Sequence, residues 1–156
     1  MNALLKELYR TNQTYRAGLL AEFMSLNGCR IGEAVAIEKQ NYHKERRELD
    51  IHGTLDSVDR NAKKELTKTL SSYRTTNLTN REIEIIDELI MLNELASSMN
   101  GEFSEMDYIF LNNRGKPMQR NSFNATLQKA NQRLDKPINK PLSSHIFRHT
   151  LISMLA

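Results

Sequence analysis

The densest cluster of chemically capable side chains in this 156-residue chain is His145-Ile-Phe-Arg148-His149-Thr150. With Ser143 or Ser144 as helix cap, His145 and Arg148 stand three apart and share one face, leaving Ile146 and Phe147 to the core. A histidine beside an arginine suits a phosphate, because guanidinium donates a planar fork and imidazole donates or relays a proton. Arg30-Ile-Gly-Glu33 supplies a second arginine at a helix start just after Gly28. Glu33, one turn later, can orient Arg30 by a charge-assisted hydrogen bond. Lys68, in a basic stretch, is placed to reach the leaving oxygen of a phosphodiester. Alone, each signal is weak. H-x-x-R also suits any exposed helix start, Arg30 and Glu33 also read as a surface ion pair, and Lys68 as a solvated lysine.

The elements that must position these residues are mostly helical. Residues 2–10 put Leu4, Leu5 and Leu8 at helical spacing. Thr14 is the expected cap of a second helix, with Leu19, Leu20, Phe23, Met24 and Leu26 on its apolar face and Asn27-Gly28 at its end. A third helix begins near Arg30 and buries Ile31, Ala34, Val35 and Ile37; Cys29 and Met24 read as core.

Residues 48–52 alternate polar and apolar, as a half-buried strand does. Residues 65–69 and 73–78 are two further extended segments joined by Leu70-Ser71-Ser72. The expectation is a small antiparallel sheet over 46–78 with a basic hairpin. Thr79 or Asn80 then caps a long helix whose buried side is Ile83, Ile86, Leu89, Ile90, Met91 and Asn93. Asp107 to Leu111 is a strand-like apolar run and Asn112 to Pro117 a turn. Ser122 starts another helix, and residues 145–155 a last amphipathic one. The fold class is therefore mainly α with a small antiparallel β-sheet, α+β, in one domain.

Composition narrows the chemistry. One cysteine excludes an internal disulfide and a thiolate zinc cluster, and four histidines show no metal-ligand spacing, so neither metal nor cofactor is expected. No run of about eighteen apolar residues offers a membrane span, and the N-terminus lacks the apolar stretch of a signal peptide. A reducing cytoplasm is the expected location. The net charge of +3 is unevenly spread. Residues 82–111 hold eight acids and no Lys or Arg, whereas 60–81 and 112–156 are strongly basic. Such blocks either solvate surfaces or together neutralise a polyanion.

Joint order sharpens these readings. Gly28-Cys-Arg30-Ile-Gly-Glu33, then Lys68-Thr69 with Ser72 and Arg74, then His145-x-x-Arg148-His149-Thr150 resemble the catalytic domain of the tyrosine recombinase (phage integrase) family. Tyr108-Ile-Phe-Leu-Asn-Asn-Arg-Gly-Lys-Pro117 looks like that family's F-x-N-x-x-G-x-P stretch. The resemblance covers residues 1–156 and implies a tyrosine recombinase catalytic-domain-like fold. It also implies roles. Arg30 and Arg148 match the arginines that clamp the scissile phosphate. Lys68 matches the lysine that protonates the leaving 5′-hydroxyl, and His145 the histidine that binds phosphate and assists proton transfer. Glu33 and His149 match supporting positions.

One departure from the family pattern matters. The nucleophilic tyrosine and the histidine or tryptophan before it follow the second arginine by tens of residues, and this sequence stops eight residues after Arg148. None of Tyr9, Tyr15, Tyr42, Tyr73 or Tyr108 matches the nucleophile. The expectation is a partial catalytic domain, without the N-terminal core-binding domain or the C-terminal tyrosine segment, of a mobile-element integrase. The full-length protein would cleave and rejoin DNA through a 3′-phosphotyrosyl intermediate; this chain would not cleave. Double-stranded DNA is the expected partner, with self-association or contact with full-length recombinase protomers through apolar surface near Met154 and Leu155. The competing readings are a non-catalytic module that binds DNA or a recombinase and, less favoured, a metal-free nuclease.

Overall fold

A computed structural model describes residues 2–55, 65–66, 73–101, 103, 107–139 and 143. Five helices and two small sheets lie among them. The helices are α1 (Asn2–Tyr9), α2 (Asn12–Asn27), α3 (Ile31–Val35), α4 (Asn80–Met99) and α5 (Arg120–Gln132). The strands are β1 (Tyr42–His43), β2 (Glu48–Ile51), β3 (Gly53–Thr54), β4 (Glu65–Leu66) and β5 (Arg74–Asn77). No helix among the described residues is long and apolar enough to cross a membrane. The expected last helix, over 145–155, lies outside the described residues.

The core forms where the apolar faces meet. Leu4, Leu5 and Leu8 of α1 close on α2, whose Leu19, Leu20 and Phe23 are fully buried. Phe23 packs on Phe110 with ring centroids 4.9 Å apart, a favourable tilted aromatic pair. The second helix starts earlier than expected: Asn12 opens it, and Thr14 instead turns its hydroxyl back to the Leu8 carbonyl at 2.5 Å.

Thr79 caps α4 through a reciprocal box. The Glu82 N–H donates to Thr79 Oγ1 at 3.2 Å, and the Thr79 N–H donates to Glu82 Oε2 at 2.7 Å. Ile85, Ile86, Leu89 and Asn93 form the buried stripe of this helix. Met91, expected inside, is 58% exposed, because two steps of about 100° from Leu89 carry it to the far side. Asn93 is wholly buried and joins three segments: its Oδ1 accepts from Arg16 and its Nδ2 donates to the Ile109 carbonyl at 3.1 Å.

The sheet region differs from the expected arrangement. In the three-stranded antiparallel sheet β1-β2-β5, Leu49 faces Thr76 and Ile51 faces Arg74. A separate pair joins β3 to β4, with Gly53 opposite Leu66. The sheet also extends back to Tyr42, ahead of the expected start, through a tight turn in which Arg47 has a φ of 56°. Burial of Leu49 and Ile51 fixes the face of β2 that meets the core, and with it the register. Residues 67–72, where the hairpin connection was expected, lie outside the described residues. Residues 107–111 make two isolated bridges, Glu38 with Tyr108 and Leu111 with Pro117, rather than a strand. The α5 helix starts two residues before Ser122.

Candidate active site

Arg30 is placed by the way α2 ends and α3 begins. Gly28 adopts the left-handed conformation (φ 81°) and donates its N–H to the Met24 carbonyl at 2.8 Å, which turns the chain out of α2. Cys29 and Ile31 are buried on either side of Arg30. Pinned by these neighbours, Arg30 becomes the cap of α3, in extended backbone, with its side chain exposed. The α3 helix lies close against β3. A Cβ on Gly32 would stand 2.6 Å from Thr54 Oγ1, and the Leu55 N–H donates to the Gly32 carbonyl at 3.2 Å.

Glu33 supports this turn, but not as its spacing suggested. Its Oε1 accepts the backbone N–H of Arg30 at 3.0 Å. Both carboxylate oxygens go to the guanidinium of Arg74, Oε2 at 2.9 Å and Oε1 at 3.3 Å. The expected side-chain bond between Glu33 and Arg30 is therefore replaced by a two-pronged pair with β5, the geometry an arginine fork makes with a carboxylate. Among the described residues the Arg30 guanidinium has no hydrogen-bond or ion-pair partner. Burial pulls the Glu33 carboxyl up, yet the Arg74 side chain and the Arg30 N–H outweigh it and hold the group below its ordinary value. Burial, with Glu33 nearby, pushes the Cys29 thiol up to about 12, so it is an inert core residue as expected.

Lys68, His145, Arg148 and His149 lie outside the described residues, so Arg30 and Glu33 are the expected site residues that the structure places. Arg74 is the residue whose part was missed. It stood visible at the end of the K-T-x-x-S-x-R stretch, but nothing in local spacing signals a pair across 41 positions.

Ion pairs also redistribute the basic blocks. Arg81 binds Glu22 through two bonds, at 2.7 and 2.9 Å, and Arg133 binds Glu7 at 2.7 Å. Three of the tyrosines are engaged with acids: Tyr9 donates to Glu22, Tyr15 to Glu88 and Tyr42 to Asp87. Each hydroxyl is held above its ordinary pKa, that of Tyr15 at about 12 through its bond to Glu88. Tyr73 is half exposed and stacks on His52, with centroids 5.2 Å apart.

Solved structures share this fold. A Tn1549 transposon integrase, determined in complex with a circular intermediate DNA, superposes with a TM-score of 0.79 at 16% identity, over 99% of this chain and 50% of that one. XerA recombinase superposes with a TM-score of 0.63 at 14% identity, over 99% of this chain and 47% of its own. The mostly helical fold with a small antiparallel sheet is thus that of tyrosine recombinase catalytic domains, as the motifs implied. The family model described as the phage integrase family matches residues 1–156, and the chain belongs to that family. It is 57% identical over 158 residues to a prophage ps2 probable integrase of Lactococcus lactis subsp. lactis (strain IL1403), and 31% identical over 152 residues to an integrase of Staphylococcus phage L54a. The matches cover 100% and 93% of this chain but 41% and 42% of those relatives, so the chain spans less than half their length.

Proposed function

We propose that the chain is the phosphate-holding part of a tyrosine recombinase catalytic domain, acting in site-specific integration and recombination of double-stranded DNA. The observation that carries this reading is the exposed Arg30, capping α3 with its backbone fixed by Glu33, in a chain matched to the family over residues 1–156. Family membership over that span favours an enzyme part over a stand-alone binding module.

The roles follow from charge and proton demand. As hydroxyl attacks phosphorus, negative charge grows on the non-bridging oxygens, and Arg30 with Arg148 offsets it. Lys68 gives a proton to the departing 5′-oxygen. His145 donates to the phosphate and helps move the attacking proton, and Glu33 and His149 support the cationic groups. None of the five tyrosines is assigned as nucleophile; the engagement of Tyr9, Tyr15 and Tyr42 with carboxylates supports that for three of them. In this reading residues 1–156 are a partial catalytic domain. Their part in that domain is to hold the scissile phosphate.

The test is binding to a short labelled duplex of arbitrary sequence, followed by fluorescence anisotropy. The logarithm of the affinity should fall linearly with the logarithm of salt between about 50 and 200 mM, since each phosphate neutralised releases counterions. Arg30→Ala and Arg148→Ala should each lower that slope by about one. Affinity indifferent to salt, or slopes unchanged by both substitutions, overturns the reading.

A further inference from the structure

We propose that Arg74 is the counter-ion that keeps Glu33 off the Arg30 guanidinium, so that Arg30 stays open to a phosphate oxygen. This rests on the phosphate-binding reading above and assigns the residue on which Arg30 depends.

Helix spacing alone would join Arg30 to Glu33, because charges three apart on one helix face each other. The carboxylate is already in place, its Oε1 held 3.0 Å from the Arg30 backbone nitrogen. It is nonetheless Arg74 that takes both oxygens. Arg74 is itself anchored, since β5 pairs with β2 and sets it opposite the buried Ile51. Its side chain is 37% exposed and that of Glu33 only 15%, so the fork closes over the carboxylate from the solvent side.

Without Arg74, an uncompensated carboxylate remains one turn from Arg30. It is then free to turn to the guanidinium and compete directly with phosphate. The trio of Arg30, Glu33 and Arg74 carries a net charge of +1, and loss of Arg74 cancels it. Arg74 is in this sense a positioning residue: it acts on the anion through Glu33 and Arg30.

The same anisotropy assay tests this on the whole chain. Arg74→Ala should weaken DNA binding by as much as Arg30→Ala does, about tenfold, and lower the salt slope by a similar amount. The deciding variant adds Glu33→Gln to Arg74→Ala. Glutamine keeps a carbonyl for the Arg30 N–H but has no charge with which to capture the guanidinium, so the double variant should recover most of the affinity and slope. A simple structural brace, or a direct phosphate contact by Arg74, gives no such rescue. Binding unchanged in Arg74→Ala, or a double variant as weak as the single, overturns the proposal. If Arg30→Ala itself leaves binding unchanged, the phosphate assignment of Arg30 fails instead. Should Arg74→Ala not fold, Arg74→Gln, which removes the charge and keeps hydrogen-bonding reach, carries the same comparison.

Discussion

Arg74 reaches across 41 sequence positions to hold both carboxylate oxygens of Glu33, at 2.9 and 3.3 Å, while Arg30, three residues from that carboxylate, contributes its backbone N–H. A strand and a helix cap are thereby fastened at a single carboxylate. That arrangement makes the site sensitive to acid.

Glu33 and Glu22 are both held below their ordinary value. In Glu33 the pull of burial is outweighed by Arg74 and the Arg30 N–H, and in Glu22 the Arg81 hydrogen bonds dominate. A carboxyl whose folded pKa is depressed stabilises the fold fully above its unfolded value, near 4.5 here, and loses that contribution as pH falls through the folded value. The thermal midpoint should therefore drop steeply below about pH 4.5. Glu33→Gln should show a shallower acid limb than the native chain; superimposable limbs would mean that Glu33 contributes nothing to acid sensitivity.

Asn93→Ala should be among the more damaging polar substitutions in the chain. Asn93 is fully buried and bonds both Arg16 and the Ile109 carbonyl, so its loss strips two groups of a partner inside the core. We expect a loss of about 2–3 kcal/mol in denaturant unfolding. A change under about 0.5 kcal/mol would show that the site relaxes at little cost.

Gly115→Ala should destabilise by about 2 kcal/mol or more in the same measurement. Its φ is 81°, and a Cβ there would lie 2.8 Å from the Phe103 Cα and ring, so backbone strain and collision add. Phe103 is 2% exposed and has little space in which to retreat. A near-neutral result would mean the 112–117 turn can change its backbone conformation.

Thr79→Ala removes one arm of the α4 capping box, leaving the Glu82 N–H without its side-chain acceptor. The expected cost is about 1 kcal/mol, with Thr79→Ser close to native because the hydroxyl is retained. Equal losses in both variants would assign the effect to the threonine methyl group instead.

The helices were legible because apolar residues repeat with the helical period, and the ends of α2 and α4 because Gly28 and Thr79 are strong local signals. Strands of two residues such as β1 and β3 have no period to read. The pairing of β5 with β2 depends on which face of β2 the core claims, a fact that local pattern does not hold. Met91 was misplaced because an almost wholly apolar stretch, Ile90-Met91-Leu92, blurs the angular boundary of the stripe. Within the candidate site, the exposed Arg30 at a helix start was readable from Gly28 and the apolar residues beyond it. The destination of the Glu33 carboxylate was not, since a partner three residues away and one 41 residues away are equally compatible with the same local sequence.

The burial of Cys29 has a practical consequence for watching this turn. The only thiol in the chain is fully enclosed and adjoins Arg30. An alkylating reagent in solution can reach it only when the structure packed around it opens. Its labelling rate under native conditions therefore counts those openings, a stopwatch placed by the sequence itself beside the arginine whose exposure matters most.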